Sequence, residues 1–292
     1  MASPLVSPEA LAAELSDLDR SGPQSGPATM GLVLLDARAG ADARDRFRAQ
    51  HIVGARFISG DHDLADPKDP AQGGRHPLPP LEAFARALAS AGVRPSSRVV
   101  VYDDKNGTNP AARAWWMLRA VGIDARVLDG GLAAAIAAKL PTESGEAPPT
   151  ATSPMKLDRW QLPTVTIDRI DALSKAPSVP VLDARSASRH RGEADPFDPR
   201  PGHIPNTKNA PHEASLDANG RMLDPQTLRA RLEPLLEGHP ASEAIVYCGS
   251  GITACHLLLA MEHAGLSGAS LYVGSFSEWT RTARPVATGS GT

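Results

Sequence analysis

A set of short motifs occurs twice in this chain, and the two copies are separated by about half its length. The pairs are Val33-Leu34-Leu35-Asp36-Ala37-Arg38 with Val181-Leu182-Asp183-Ala184-Arg185, His51-Ile52-Val53 with His203-Ile204-Pro205, Val99-Val100-Val101-Tyr102-Asp103 with Ala244-Ile245-Val246-Tyr247-Cys248, and Leu128-Asp129-Gly130-Gly131 with Tyr272-Val273-Gly274-Ser275. Asp36/Asp183, Tyr102/Tyr247 and Gly130/Gly274 lie 147, 145 and 144 residues apart in a chain of 292. A period this long indicates a duplicated domain, and each half is long enough to bury a core of its own.

Each half alternates short β-branched runs with amphipathic helical patterns. Strands are expected at residues 32–35, 99–102, 126–128, 179–182, 244–247 and 270–273, and helices at 81–91, 111–121, 225–236 and 253–264. Apolar strands without strict alternation suit a parallel sheet covered by helices on both faces. The sequence therefore predicts an α/β fold with two tandem domains, each a parallel sheet flanked by helices on both faces.

The domain boundaries follow from composition. A stretch rich in Pro, Thr and Ser, residues 141–163, has neither a helical nor a strand period and is typical of a linker. We therefore expect a first domain over residues 1–140, a linker over 141–163 and a second domain over 164–292.

Charge and cysteine content narrow the function classes. A net charge of −3 provides no basic surface for nucleic acid and no polybasic membrane patch. No apolar run approaches the roughly 20 residues that cross a bilayer, and Met1-Ala2-Ser3-Pro4 lacks the features of a signal peptide. Only two cysteines occur, so no disulfide framework is implied. We expect a cytoplasmic protein that binds neither nucleic acid nor membranes.

The most specific local signal is a cysteine followed by small residues. Cys248 follows the expected strand at 244–247 and precedes the helix at 253–264. Open α/β sheets bind ligands at the carboxyl ends of their strands. The small residues of Gly249-Ser250-Gly251 allow several backbone N–H groups to point at one atom, and the helix N-terminus favours negative charge there. The pattern indicates a stabilised thiolate or persulfide.

Other interpretations of this loop fit less well. A buried structural cysteine is the ordinary alternative for a lone thiol. Gly249 to Ala254 also match a degenerate dinucleotide-binding fingerprint, but the expected acidic residue about 20 positions later is missing. A cysteine phosphatase would need arginine where Ala254 stands, and a serine hydrolase elbow would need glycine where Cys248 stands.

The motifs together resemble one family. Asp183-Ala184-Arg185, Gly202-His203-Ile204-Pro205 and the cysteine loop are similar to the tandem-domain sulfurtransferases of the rhodanese superfamily, over roughly residues 28–285. In that family the first domain is a silent copy with aspartate at the cysteine position, and Asp103 stands there in this chain. Arg75-His76-Pro77-Leu78-Pro79, Arg113-Ala114-Trp115-Trp116 and Ser277-Glu278-Trp279 also look like family motifs.

The resemblance implies roles for particular residues. Cys248 would carry a persulfide held by the amides of the loop residues Gly249, Ser250, Gly251, Ile252 and Thr253. Arg189 and Arg200 would hold the carboxylate and carbonyl of the donor, since guanidinium groups bind carboxylates in a bidentate manner. Asp61, His76 and Ser250 would form a proton relay. Three alternatives stay open for the residues around Cys248. Arg200 could be a solvated surface residue, His76 could cap a turn, and Asp63 or Asp66 could take the place of Asp61.

The resemblance also implies a reaction. A small-molecule donor, 3-mercaptopyruvate or thiosulfate, would load Cys248, and a thiol, thioredoxin or cyanide would accept the sulfur without any cofactor or metal. The uncharged loop favours 3-mercaptopyruvate, because thiosulfate-preferring relatives usually carry basic residues there. The alternatives are a thiosulfate-preferring enzyme, or a low-turnover sulfur-carrier or regulatory module. Cys255, on the expected helix, is interpreted as packing.

Overall fold

The computed structural model describes residues 3–21, 31–107, 109–146 and 151–289. The chain divides into two compact units, of which the first comprises Met1–Leu64 and Pro79–Gln161 and the second Ala65–Leu78 and Leu162–Thr292. The domains expected at residues 1–140 and 164–292 and the linker expected at 141–163 stay a prediction from the sequence. The end of the expected linker packs on the first unit, where Trp160 contacts Phe84 and Trp116 with ring centroids 5.5 and 6.4 Å apart.

The first unit contains a five-stranded parallel sheet. Its strands are β1 (Leu5–Val6), β2 (Leu32–Asp36), β4 (Arg56–Phe57), β5 (Arg98–Tyr102) and β6 (Asp124–Leu128), in the order β1-β6-β5-β2-β4. Two further strands, β3 (His51–Ile52) and β7 (Thr142–Glu143), form a small antiparallel pair. The helices are α1 (Pro8–Ser21), α2 (Ala43–Ala49), α3 (Leu81–Ser90), α4 (Pro110–Ala120) and α5 (Gly131–Ala137).

The second unit repeats this arrangement. Its strands are β8 (Thr164–Val165), β9 (Val181–Asp183), β10 (Lys208–Asn209), β11 (Ile245–Tyr247) and β12 (Ser270–Tyr272), in the parallel order β8-β12-β11-β9-β10. The helices are α6 (Ile167–Lys175), α7 (Ala187–Arg191), α8 (Pro225–Leu232), α9 (Thr253–His263) and α10 (Ser275–Trp279), and short 3-10 helices cover His212–Ser215, Glu233–Leu236 and Ala241–Glu243. Equivalent strands occupy equivalent places, so the duplication and the α/β fold are confirmed.

The central strands and the two helices that pack beside them were predicted correctly because their burial is strongly expressed in the sequence, whereas the longer helix α1 was not predicted. β5 and β11 lie in the middle of their sheets, and α4 and α9 pack beside them with nearly every residue buried. One predicted helix is shorter than expected: α8 ends at Leu232, and a 3-10 turn continues to Leu236. Pro234 lacks the N–H that would continue the α-helical pattern.

None of the helices among the described residues is long and apolar enough to cross a membrane. Within the same part of the chain, His, Cys, Asp and Glu side chains form no group of three that could hold a metal ion.

Candidate active site

Cys248 lies in the second unit, between the end of β11 and the start of α9. Its side chain is buried, and the backbone N–H of Gly251 donates to Sγ at 3.2 Å. Gly251 has φ of +78°, and a methyl group on its Cα would lie 2.5 Å from the carbonyl oxygen of Val273. Only glycine therefore fits this turn, which folds the loop back over the sulfur.

The start of α10 holds the loop from the other side. The N–H of Cys248 donates to Ser275 Oγ at 3.2 Å, and the carbonyl of Cys248 accepts from the N–H of Phe276 at 2.9 Å. The N–H of Ser277 donates to the carbonyl of Gly249 at 2.8 Å. The role of Ser275 was not predicted from the sequence. The available signal was the repeat, because Ser275 stands where the first copy has Gly131, and both residues have positive φ.

The structure brings His76 and Ser250 together, and their role in a proton relay stays a prediction. His76 Nδ1 lies 2.8 Å from Ser250 Oγ, within hydrogen-bond distance. His76 belongs to the segment Ala65–Leu78, which is held on the second unit by two hydrogen bonds from backbone N–H groups to side chains. The N–H of Gly73 donates to Glu278 at 3.0 Å, and the N–H of Arg75 donates to Ser277 Oγ at 3.0 Å. These bonds explain why the segment groups with the second unit and not with the first.

The aspartates considered for the relay have different surroundings. Asp61 lies in the first unit, where its carboxylate accepts from the N–H of Gly40 at 2.6 Å. Asp63 accepts from the N–H of Ser59 at 2.7 Å. Asp66, in the second unit, pairs with the exposed Lys68 at 2.7 Å. The place of Asp61 in the relay stays a prediction from the sequence.

Arg189 lies beside the cysteine loop. A methyl group placed on Gly249 would be 3.0 Å from Nη2 of Arg189 and 3.3 Å from Nη1. The guanidinium is oriented by Asp195, which accepts from Nε at 3.2 Å and from Nη2 at 3.1 Å, and by Asp198, which accepts from Nη2 at 3.3 Å. The predicted position next to the sulfur chemistry is therefore consistent with the geometry.

Arg200 has a different environment. Its guanidinium donates to four backbone carbonyls between Trp279 and Arg284, at 2.8 to 3.3 Å. Arg200 is therefore placed as a clamp on the C-terminal segment, since four of the five N–H groups of its fork are used there. The contact of Arg200 with the donor stays a prediction from the sequence.

A buried ion pair lies under the loop. The Asp183 carboxylate accepts from Nε and Nη2 of Arg185 at 3.0 and 2.6 Å and from the hydroxyl of Tyr247 at 3.0 Å, and His190 Nδ1 lies 3.0 Å from it. Burial alone would raise the pKa of Asp183, but Arg185 and His190 outweigh it and hold this pKa well below its ordinary value. The carboxylate is therefore ionised, and it orients the arginine behind β9.

Comparison with known proteins places this geometry in a family. The model of the rhodanese-like domain matches residues 12–138 and again residues 166–282. The chain belongs to the rhodanese family. The two matched ranges fall on the two repeats, so both units are rhodanese domains.

Rhodanese-family proteins of similar length carry sulfurtransferase names. A Pseudomonas aeruginosa protein named "Probable 3-mercaptopyruvate sulfurtransferase" is 40% identical over 98% of both chains. The human 3-mercaptopyruvate sulfurtransferase is 35% identical over 87% of this chain and 86% of its own, and the Gallus gallus thiosulfate sulfurtransferase is 33% identical over 90% and 91%. The Escherichia coli 3-mercaptopyruvate sulfurtransferase structure has a TM-score of 0.74 and 28% identity, covering 94% of this chain and 99% of its own. The predicted family and enzyme class are confirmed.

The first rhodanese domain has no thiol at the equivalent position. Asp103 follows β5, and its carboxylate accepts from the N–H groups of Lys105, Gly107 and Ala111 at 2.8, 2.8 and 3.0 Å. Burial raises the pKa of Asp103. The position that carries a thiol with the Gly251 amide on its sulfur in the second domain thus carries a carboxylate with three backbone amides in the first.

Proposed function

We propose that this protein is a 3-mercaptopyruvate sulfurtransferase that works through a persulfide on Cys248. The observation that carries the proposal is the buried thiol with the Gly251 amide on its sulfur and the Ser250–His76 pair in the same loop. The names of the relatives and the uncharged loop support 3-mercaptopyruvate as the donor.

The proposed cycle has two half-reactions. In the first, the Cys248 thiolate attacks the sulfur of 3-mercaptopyruvate and forms a sulfur–sulfur bond. The carbon–sulfur bond breaks, its electron pair leaves with pyruvate as the enolate, and the enolate takes a proton through Ser250 and His76. In the second, a thiolate acceptor attacks the outer sulfur and becomes a persulfide. The sulfur–sulfur bond to Cys248 breaks, and its electron pair returns to Cys248 as the thiolate.

Arg189 is proposed to bind the carboxylate of the donor. Arg189→Lys keeps the charge but loses the planar fork, so we expect kcat/KM for 3-mercaptopyruvate to fall about ten- to a hundredfold, roughly 1.5–3 kcal/mol. Steady-state kinetics at saturating acceptor measures this. An unchanged efficiency would make Arg189 a surface residue, held only by Asp195 and Asp198.

The donor preference is a separate prediction. Mercaptopyruvate presents a monoanionic carboxylate to the arginine and leaves as a stabilised enolate, whereas thiosulfate carries two charges and gains from cations within the loop itself. We expect kcat/KM to be higher with mercaptopyruvate by at least about tenfold, roughly 1.4 kcal/mol of transition-state binding. Rates with the two donors at one acceptor concentration measure the ratio. A preference for thiosulfate would contradict the proposed donor and make thiosulfate the donor, as in the name of the Gallus gallus relative.

The acceptor is proposed to be a thiol, thioredoxin or cyanide in the cytoplasm, where the two free cysteines would stay reduced. The low-turnover carrier is the second candidate function, and it is favoured by the burial of Cys248. Mass spectrometry after donor treatment, followed by turnover with a small thiol, separates the two. A carrier would be loaded and would then fail to release sulfur to the thiol.

A further inference from the structure

Two arginines, and not one, border the first residue of the cysteine loop. A methyl group on Gly249 would lie 3.0 Å from Nη2 of Arg189 and 3.1 Å from Nη2 of Arg75. Arg75 comes from the segment Ala65–Leu78, directly before His76, and belongs to the second unit with the loop. Two guanidinium groups from separate parts of the second unit therefore approach the same small space beside the sulfur.

Each of these guanidinium groups uses one side for protein contacts. Arg75 donates through Nη1, to the Asp198 carboxylate and to the carbonyl of Phe197 at 3.3 Å. Arg189 donates through Nε and Nη2 to Asp195 and Asp198. Among the described residues, no hydrogen bond is formed by Nη2 of Arg75 or by Nη1 of Arg189. Both of these nitrogens lie within 3.3 Å of the methyl position on Gly249.

The arginines are held in place by buried carboxylates. The side chains of Asp195 and Asp198 are fully buried, whereas those of Arg75 and Arg189 are 22% and 20% exposed. The exposed ring of Phe197 lies 5.7 Å from the guanidinium of Arg75 and 5.2 Å from that of Arg189. Such packing orients both guanidinium planes before any ligand arrives, which reduces the entropy lost on binding.

The local charge suits a monoanion. Arg281 also donates to Asp198 at 3.2 Å, and Arg185, whose bidentate partner is Asp183, donates to Asp195 at 3.2 Å. Four arginines therefore share three carboxylates. One positive charge is left over, in a place that is only one-fifth exposed, where it attracts a single negative charge more strongly than in open water.

We propose that Arg75 is the second arginine that binds the carboxylate of the donor, a role that the sequence had assigned to Arg200. Arg75 thereby sets the preference for a donor that carries a carboxylate. Nη2 of Arg75 and Nη1 of Arg189 bind the two carboxylate oxygens of the donor, next to the Cys248 sulfur. The four carbonyl contacts of Arg200 leave that residue a structural role. The inference rests on the proposed function for the identity of the donor.

The test compares the variants Arg75→Gln, Arg75→Lys, Arg200→Gln and Arg281→Gln. For Arg75→Gln we expect KM for mercaptopyruvate to rise about ten- to a hundredfold with a smaller change in kcat, because the lost contact binds donor and transition state alike. Arg75→Lys should recover only part of the loss. Arg281→Gln removes one positive charge from this group but no contact with the donor, so it should raise KM less than Arg75→Gln does. Arg200→Gln removes the clamp on the C-terminal segment and should leave KM within about threefold of wild type.

Loading by inorganic polysulfide, which has no carboxylate, supplies the second readout. Polysulfide is also an anion, so Arg75→Gln should slow its loading of Cys248, but by a smaller factor than it slows mercaptopyruvate turnover, because no carboxylate contact is lost. The one sulfur still gained on Cys248 shows an intact fold and thiol. The proposal is overturned if Arg75→Gln keeps the wild-type KM, if Arg281→Gln raises KM equally, or if polysulfide loading falls by the same factor as mercaptopyruvate turnover. Failure of wild type to use mercaptopyruvate at all would instead overturn the proposed function.

Discussion

Replacing Cys248 by serine is expected to abolish sulfur transfer while leaving the protein folded. A hydroxyl group of similar size fills the same place after β11 but forms no persulfide. Treating wild type with donor should add about 32 Da, the mass of one sulfur, to the peptide that contains Cys248, because this thiol is the nucleophile. Steady-state turnover, intact-mass spectrometry and thermal unfolding of the two proteins measure the three parts of this expectation.

Cys255 provides the matched control. It is buried on α9, and its Sγ donates to the carbonyl of Gly251 at 3.3 Å, a bond that a serine hydroxyl can also form. Cys255→Ser should therefore keep its activity and take up one sulfur as wild type does. If the added mass maps to Cys255, or if Cys248→Ser still turns over, the nucleophile has been assigned to the wrong residue.

Asp183→Asn is expected to cause the largest loss of stability. The substitution removes the bidentate partner of the charged and fully buried Arg185 and leaves it the single contact with Asp195 at 3.2 Å, and breaking such a pair costs up to about 3–5 kcal/mol of unfolding free energy. Because the fold lowers the pKa of Asp183, the contribution is complete above the ordinary aspartate pKa of about 3.9 and is lost as the pH falls through the lowered value. The difference from wild type in urea unfolding should stay constant from pH 7 to about pH 4 and shrink below it.

The first domain contains the matched control, Asp36→Asn. Asp36 also pairs with an arginine, Arg38, but Phe47 stands where the second domain has His190, and burial raises the pKa of Asp36. A raised pKa means that the stabilising contribution is present at low pH and is lost as the pH rises. Asp36→Asn should therefore cost less than Asp183→Asn at pH 7. An equal cost for both would show that His190 does not stabilise the charge of Asp183.

The sequence was sufficient for the fold, for the family and for the position of the thiol. The duplicated motifs and the runs of apolar residues mark the buried strands β5 and β11 and the buried helices α4 and α9 directly in the sequence. The glycine at position 251 is required by its own backbone angle and by one close carbonyl. Features of this kind can be read from adjacent residues, because the interactions that demand them are short in sequence or repeat with a regular period.

Only the tertiary structure decided which side chains surround the sulfur. The segment Ala65–Leu78 folds onto the second unit through Ser277 and Glu278, about 200 positions later in the chain, and brings Arg75 and His76 to the loop. Arg189 and Arg200 look alike in the sequence, yet Asp195 and Asp198 orient the first toward Gly249 while backbone carbonyls near Trp279 hold the second. The direction of a long charged side chain depends on hydrogen-bond partners that are distant in sequence, and neither composition nor periodicity records them.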